Sequence, residues 1–310
     1  MKFTITLPQQ GQTVRAFIQQ NLHVSSKMLK YLKYRPDGIC VNGERVTVRY
    51  VLHEGDVLTL ATEDTEENHK LEAVDLPLEI LYEDEDVVVP AKPANMPTHP
   101  SCDHHDDTVA NALAYRYAPL GKAFVFRPIQ RLDRNTSGLL LIARNKIAAG
   151  KLAISMKNRE IHKSYLALLD GIVSEDEGEI DAPLHRTAQS VILREVCSPD
   201  APDADAALTR FRVLARGKAH TLVEASPITG RTHQLRVHFA HLGHPITGDD
   251  LYGTPSPLID RHALHAHTLS FPHPTTEQPL TLSAPIPEDL RQALEQAFPD
   301  GSWKDAIPNS

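Results

Sequence analysis

The sequence predicts an α+β protein, with a small N-terminal module before a larger domain built on a mixed, mostly antiparallel sheet. Three observations support this prediction. Segments with the length and alternation of strands outnumber the helical patterns, and short turns join most of them. An acidic stretch with little apolar periodicity, residues 63–76, separates residues 1–62 from residues 77–310. The chain of 310 residues is long enough for two domains with a sizeable core.

The composition is that of a globular protein. Apolar residues make up 41% of the chain and charged residues 23%, and no apolar run approaches the roughly 18 residues of a membrane span. The first residues alternate like a strand and lack the apolar core of a signal peptide. The three cysteines, odd in number and widely spaced, favour a reducing compartment. We therefore expect a cytoplasmic protein that does not associate with membranes. We also expect it to act as a monomer.

In the N-terminal module, the pattern predicts two helices followed by short strands. The helices are expected at residues 14–22 and 27–34, with Ser25 or Ser26 capping the second, and the strands at residues 39–41, 46–50 and 57–60. Turn signals, Asp37-Gly38 and Asn42-Gly43, flank the first of these strands. The acidic stretch after the module is expected to be extended and flexible, because its like charges repel.

The N-terminal module is basic, although the chain as a whole carries a formal net charge of −8. Only Asp37 and Glu44 oppose the basic residues between positions 15 and 49. Those basic residues are Arg15, Lys27, Lys30, Lys33, Arg35, Arg45 and Arg49. Such a local excess is what binding to a phosphate backbone requires. A solvated helix face gives the same pattern, and charge alone favours that plainer interpretation.

The larger domain shows many strand patterns and few helical ones. Strands are predicted at residues 78–82, 87–89, 139–143, 162–171, 208–215 and 220–225, and helices at residues 108–117, 146–157, 232–242 and 287–298. Asn145 and Thr232 are the expected N-caps of two of these helices. Residues 172–207 are acidic and give little signal. The histidines near residues 104 and 233–244 lack the spacing of metal ligands, so no metal site is expected.

The clearest chemical signal lies in residues 130–145. Asp133 stands between two guanidinium groups, Arg131 and Arg134, on a loop that leads into the apolar run at residues 139–143. A core strand fixes such a carboxylate while the loop exposes it, which suits catalysis. An ordinary surface ion pair, which contributes little, is the alternative, and the local pattern leaves both interpretations open.

The run Arg-Leu-Asp-Arg-Asn-Thr-Ser-Gly at residues 131–138 resembles the active-site motif of the RluA/RluD-type RNA pseudouridine synthases. Gln130 stands where that motif usually has His. Residues 91–97 are similar to the family's Asn-Lys-Pro-Ala-Gly-Met-Pro segment, with Ala91 in place of Asn and Asn95 in place of Gly. Asn tolerates positive φ better than other non-glycine residues, so the turn can survive.

The resemblance extends over nearly the whole chain. Tyr165 occupies the place of the active-site tyrosine in the family's Lys-x-Tyr-x-Ala segment, although the pattern alone favours an aromatic packed in the core. Residues 230–238 match Gly-Arg-x-His-Gln-Leu-Arg-Val-His, in which Arg236 is the arginine that pairs with the catalytic aspartate. Residues 12–62 resemble the α-L RNA-binding domain first named from ribosomal small-subunit protein four.

The resemblance implies an enzyme that isomerises uridine in RNA to pseudouridine without a metal or organic cofactor. Asp133 is the implied nucleophile, and Arg236 is expected to hold it ionised. Tyr165 is expected to stack on a flipped base and to help remove the proton from carbon 5. The expected substrate contacts are Arg131, Arg134, Thr136, Arg231, His233, Lys27, Lys30 and Arg35. Ribosomal RNA of the large subunit is the first expected partner and transfer RNA the second.

Two other classes stay open at this point. Gln130, Ala91 and Asn95 depart from the family pattern, which leaves room for a non-catalytic RNA-binding or ribosome-assembly protein of the same fold. A glycosidase acting on small molecules would need a second carboxylate, and it would give the basic module no purpose.

Overall fold

The computed structural model describes residues 1–22, 24, 26–61, 71–101, 103–121, 124–188 and 190–307. In the N-terminal module, four strands form an antiparallel sheet on which the helices pack. Its elements are β1 (Lys2–Thr4), a 3-10 turn (Leu7–Gln9), α1 (Val14–Ala16) with a π-helical continuation (Phe17–Asn21), α2 (Ser26–Tyr34), β2 (Ile39–Val41), β3 (Glu44–Arg45) and β4 (Val57–Leu60). The strand order is β1-β4-β2-β3.

Local sequence explains most of this module. Asn42 and Gly43 both have positive φ, 52° and 87°, which is the two-residue hairpin turn predicted between β2 and β3. The strand predicted at residues 46–50 is wrong. The carbonyls of Val48 and Tyr50 instead accept hydrogen bonds from the first amides of α1, at 2.9 Å each. This segment therefore satisfies the free donors at the start of the helix rather than extending the sheet. The possible cap Ser25 lies outside the described residues, and α2 begins at Ser26.

The larger domain has the predicted mixed, mostly antiparallel sheet. Its strands are β5 (Glu79–Glu83), β6 (Val87–Lys92), β7 (Ser137–Leu139), β8 (Ile142–Ala143), β9 (His162–Asp170), β10 (Glu177–Asp181), β13 (Leu208–Arg216), β14 (His220–Pro227), β15 (Leu264–Pro272) and β16 (Pro279–Ser283). A separate hairpin is made by β11 (Leu184–Arg186) and β12 (Arg194–Val196). The main path of the sheet is β10-β13-β14-β9-β15-β7-β6-β5, and β15 and β7 are its parallel pair.

The helices of this domain are α3 (Val109–Tyr117), α4 (Lys146–Lys157), α5 (Gln234–His241) and α6 (Glu288–Ala297). Asn145 caps α4 as predicted, since its side chain accepts from the amides of Ile147 and Ala148. The strands β10, β11, β12, β15 and β16 were not predicted from the sequence. β10 and β12 are short and mostly unburied and lack an apolar rhythm, and His265 and His267 interrupt the apolar pattern of the largely buried β15. None of the helices in the described ranges is long and apolar enough to cross a membrane.

Close packing of β7 against β15 places the loop that carries Asp133. Gly138, at φ 110°, lies so near β15 that a Cβ atom there would be 2.1 Å from the carbonyl oxygen of Ala266. Glycine, which has no Cβ atom, is thus the residue that fits at position 138 between these two strands. Ala266 also pairs with Tyr165 on β9. Three adjacent strands therefore bring the loop before β7 and the side chain of Tyr165 to one region of the sheet.

The N-terminal module contacts the larger domain at the start of α4. Ile147 is 2% exposed and packs with the apolar residues of the module. The ammonium of Lys146 lies 4.2 Å from the centre of the Tyr31 ring. Of the acidic stretch at residues 63–76, residues 71–76 belong to the described part of the chain. The domain boundaries at residues 62 and 76 stay a prediction.

Candidate active site

A cavity of about 1030 Å³ opens beside Asp133, between the loop before β7, the end of α4 and the start of α5. Basic side chains far outnumber acidic ones in its lining. Among the described residues that line it, Asp133 is the one acidic side chain. The basic ones are Arg131, Arg134, Lys157, Arg159, Lys163, Arg210, Arg231 and Arg236. A concentrated positive field in an acidic protein is suited to a polyanion.

Asp133 is held near two basic side chains but is not hydrogen-bonded to either. Its Oδ2 atom lies 3.7 Å from Nη1 of Arg236 and 4.0 Å from Nε2 of His233. The carboxylate is 29% exposed, toward the cavity, and its oxygens accept no hydrogen bond within the described part of the chain. A carboxylate that is charged, oriented and unblocked in this way can act as a nucleophile.

Arg236 is fixed mainly by a different carboxylate. It lies on α5 and is 4% exposed, and its Nε and Nη2 atoms both donate to Asp249 at 2.7 Å. Asp249 is fully buried. Burial opposes ionisation of Asp249, but the hydrogen bonds and charge of Arg236 outweigh it and lower the pKa of the carboxyl group. No role was predicted for Asp249 from the sequence. The local signal at that position was the turn pair Gly248-Asp249.

The start of α5 differs from the prediction. The N-cap is His233, at φ 58°, and not Thr232. The Oε1 atom of Gln234, the first residue of the helix, accepts a hydrogen bond from the backbone amide of Arg231 at 3.0 Å. The side chain of Gln234 therefore stabilises the turn that precedes the helix. His233 turns its Nδ1 atom to the hydroxyl of Tyr252 at 2.8 Å, which leaves Nε2 toward Asp133. Positive φ in a non-glycine residue, here beside the Asp133 carboxylate, is a form of local strain typical of active sites.

Tyr165 lines the cavity from β9 and is 7% exposed. Burial, with a further effect of the charge on Asp133, raises the pKa of its hydroxyl, which is therefore protonated at neutral pH. The hydroxyl makes no hydrogen bond within the described residues. Its proximity to Asp133 and to the open space is what the predicted role requires.

The loop that carries Asp133 is anchored by side chains from other segments. The hydroxyl of Thr98 bonds both the amide and the carbonyl of Leu132, at 3.2 and 3.0 Å. The ammonium of Lys92 donates to the carbonyl of Arg134 at 2.9 Å and to two carbonyls of its own loop. Burial and the charge of Arg261 lower the pKa of Lys92 to about 7. Asn95 adopts φ 61° in that loop, so the predicted turn survives without glycine.

Two buried histidines hold the next part of the same loop. His262 Nε2 lies 2.8 Å from the hydroxyl oxygen of Thr136, and His265 Nδ1 lies 2.9 Å from that of Ser137. Burial lowers the pKa of both imidazoles to about 3, so both rings are neutral at physiological pH. Sequence reasoning gave neither histidine a role, because nothing local indicates that residues about 126 positions apart meet.

The other predicted substrate contacts divide into two groups. Arg131 and Arg134 are exposed at the cavity, and Arg231 lines it while pairing with Asp205 at 2.9 Å. Lys30 and Arg35 lie in the N-terminal module, away from the cavity lining, and Arg35 bonds Tyr31 and Asp37. Lys27 is in α2, but its side chain lies outside the described residues.

Gln130, the departure from the family motif, also lines the cavity. Its Nε2 atom donates to the carbonyl of Leu139 at 3.3 Å, while its Oε1 atom is buried without a hydrogen-bond partner in the described structure. Of the histidines near residue 104, His104 pairs with Asp107 at 2.6 Å. In the described ranges, no three His, Cys, Asp or Glu side chains come together as metal ligands would.

Comparison with known proteins agrees with this geometry. The family model for RNA pseudouridylate synthase matches residues 86–241, which contain Asp133, Tyr165 and Arg236. The chain therefore belongs to the RNA pseudouridylate synthases, enzymes that isomerise uridine in RNA to pseudouridine. The class of enzyme predicted from the sequence is confirmed.

Individual relatives extend the match along most of the chain. An uncharacterized RNA pseudouridine synthase of Bacillus subtilis, YjbO, is 38% identical over 88% of this chain and 95% of its own length. The ribosomal large subunit pseudouridine synthase D of Vibrio cholerae is 36% identical over 81% of each chain. Among solved structures, human RNA pseudouridylate synthase domain containing 1 is 32% identical, with a TM-score of 0.57, over 67% of this chain and 83% of that one.

Proposed function

We propose that this enzyme modifies large-subunit ribosomal RNA, with Asp133 as its nucleophile, and that it works as a monomer in the cytoplasm. The observation that carries the catalytic assignment is that, among the described residues, Asp133 is the single carboxylate in a cavity whose other charged side chains are basic. Such a cavity suits an RNA backbone and leaves one group able to react at the sugar or the base. The ribosomal substrate is suggested by relatives named ribosomal large subunit pseudouridine synthase D.

The reaction breaks the bond between N1 of the uracil and C1′ of the ribose, and joins C1′ to C5. The carboxylate of Asp133 serves either step at which charge develops, by trapping the sugar or by adding to the base. Arg236, 3.7 Å away, stabilises the ionised form of Asp133. Asp249 keeps the Arg236 guanidinium in place, so that the positive charge is fixed before the substrate arrives.

Tyr165 is proposed to contact the displaced base. Its ring offers a stacking surface for a uracil that has left the RNA helix. Its hydroxyl is protonated at neutral pH, so to take the proton from C5 it must give up its own proton in the same step. The acceptor that balances the reaction is N1 of the uracil, which gains a proton when C5 loses one. The unbonded position of the hydroxyl next to the open cavity supports this role.

The N-terminal module is proposed to be an RNA-binding domain. In α2, Lys30 and Lys33 are exposed and Tyr34 is 77% exposed. Basic side chains next to an accessible aromatic ring suit a nucleic-acid backbone and an unpaired base. The module would then add affinity at a distance from the cavity.

The test of the proposed function is Asp133→Asn, which removes the nucleophile and keeps its size. Pseudouridine formation should fall below detection, while RNA affinity changes by less than about threefold, since the basic lining is intact. The assay should map pseudouridine in ribosomal and transfer RNA from cells with and without the gene. Near-normal turnover by the variant would refute Asp133 as the nucleophile, and a missing pseudouridine in transfer RNA alone would refute the ribosomal substrate.

A further inference from the structure

Thr136 and His262 meet directly behind the catalytic loop. Thr136 lies three residues after Asp133 and lines the cavity, and its amide donates to the carbonyl of Asp133 at 3.1 Å. Its Oγ1 atom lies 2.8 Å from Nε2 of His262. His262 is 2% exposed, so water does not replace this contact.

The surroundings of His262 decide which atom donates in this hydrogen bond. The Nδ1 atom of the ring is buried and has no hydrogen-bond partner within the described residues. A neutral imidazole carries one proton, and a buried N–H without an acceptor is rarer in proteins than an acceptor without a donor. The proton is thereby assigned to Nε2, which donates to Thr136. Arg236 and Arg261 lie close enough to disfavour the doubly protonated ring.

A hydroxyl that accepts a hydrogen bond still has its own proton to donate. Within the described part of the chain, Thr136 Oγ1 bonds no group besides His262. Its proton is therefore available to an acceptor in the cavity. When the bond from C1′ to N1 breaks, the electron pair moves onto the uracil, and negative charge spreads to its carbonyl oxygens. Those oxygens are the acceptors that appear during the reaction.

We propose that Thr136 donates a hydrogen bond to a carbonyl oxygen of the departing uracil, and that His262 is a positioning residue that turns the hydroxyl proton toward it. The inference rests on the proposed function of the cavity. Thr136 would be a catalytic residue, because it touches the substrate, whereas His262 acts only through Thr136. The donor strengthens as the base gains charge, so its loss should appear in kcat more than in KM.

A double-mutant cycle tests the coupling. Thr136→Val removes the hydroxyl and keeps the branched shape, and His262→Phe removes both ring nitrogens. Each variant should lower kcat by about 10- to 100-fold, with KM changed less than threefold. The double variant should be no slower than the slower single variant, because both changes remove one interaction. His262→Gln, whose amide can donate from nearly the same place, should restore most of the rate.

Substrate analogues identify the acceptor and remain informative if His262→Phe fails to fold. RNA with 2-thiouridine or 4-thiouridine at the target replaces a uracil oxygen with a weaker acceptor. One of the two analogues should slow the wild-type enzyme, but it should not slow the Thr136→Val variant any further. Equal slowing of both enzymes by each analogue would overturn the assignment, and so would rate losses that multiply in the cycle.

The Asp133→Asn enzyme separates this inference from the function on which it rests. If that variant is active, the proposed nucleophile is wrong whatever the cycle shows. If it is inactive while the losses at Thr136 and His262 are independent, the inference alone fails. If His262→Phe loses activity together with a lower unfolding midpoint, and His262→Gln does not restore that activity, the role of His262 is purely structural.

Discussion

Asp249 accepts two hydrogen bonds of 2.7 Å from the guanidinium of Arg236, whereas Asp133 lies 3.7 Å from the remaining nitrogen of the same group. The carboxylate of Asp249 thus fixes the position of Arg236. The carboxylate of Asp133 lies near the charge of Arg236 without being hydrogen-bonded to it. A nucleophile bonded as tightly as Asp249 would have to break that bond before reacting. Asp249 thus supplies the structural support of Arg236, and Asp133 is the proposed beneficiary of its charge in catalysis.

Replacing Asp249 with Asn should destabilise the protein and slow catalysis together. The change leaves the charge of Arg236 buried without its main partner, which typically costs about 3–5 kcal/mol in the free energy of unfolding. The guanidinium would also lose its orientation toward Asp133, so kcat should fall at least tenfold. Urea unfolding and single-turnover kinetics measure the two effects. Asp250→Asn is the matched control, because that carboxylate is 3.3 Å from the same guanidinium but 69% exposed, and its loss should cost under about 1 kcal/mol.

The Asp249 pair also predicts a pH dependence of stability. The pKa of Asp249 is lowered in the folded protein, so its ionised form favours folding. This contribution is complete above the unfolded pKa, near 4, and is lost as the pH falls through the lowered folded value. Unfolding midpoints of the wild type should therefore converge on those of Asp249→Asn at acidic pH. A constant difference between the two proteins down to pH 2 would contradict this assignment.

Tyr165→Phe should lower kcat by about 10² to 10³-fold while RNA affinity changes little. The ring that is proposed to stack on the base stays, and the hydroxyl that is proposed to move a proton is removed. Tyr165→Leu, which removes the ring as well, should weaken binding of the target in addition. Gel-shift affinities and single-turnover rates distinguish the two variants. A Phe variant with near-normal kcat would leave Tyr165 a stacking role only.

The sequence was informative where function depends on a local pattern. The motif at residues 131–138 pointed to Asp133, which lies at the cavity in the structure, and its role as nucleophile stays a proposal. Hairpin spacing with strand-length segments predicted the antiparallel sheet. The strand predicted at residues 139–143 is nearly right, although the structure divides it between β7 and β8. Helical spacing placed α4, and Asn145 caps it as predicted.

The sequence was silent where a residue acts through a distant partner. Asp249 belongs to the site through its hydrogen bonds to Arg236 on α5, and His262 through its contact with Thr136 on the loop of Asp133. No local spacing encodes either contact. Lys92 is a further case, since an apolar strand segment gives no sign that its lysine ends on the carbonyl of Arg134. The left-handed cap at His233 went unpredicted because threonine is the commoner cap residue.

Lys157→Ala should weaken RNA binding and reduce its salt dependence. Lys157 is exposed at the end of α4 and lines the cavity. If it contacts a phosphate, the slope of log affinity against log salt should become shallower by about one. The matched control is Lys218→Ala in the exposed turn between β13 and β14, outside the cavity lining. Equal effects of the two changes would indicate a general charge effect and no phosphate contact at Lys157.

Charge reversal on α2 should weaken RNA binding without loss of chemistry. The double change Lys30→Glu and Lys33→Glu places two negative charges on the exposed face of the module, and affinity for long RNA should fall about tenfold or more at low salt. The single-turnover rate at saturating RNA should stay within about twofold, because neither lysine lies at the cavity. Point changes are preferable to deleting residues 1–62, since deletion would expose Ile147, which the module covers. Lys2→Glu, an exposed lysine on β1, is the control for charge alone, and an unchanged affinity in the double variant would contradict an RNA-binding role for α2.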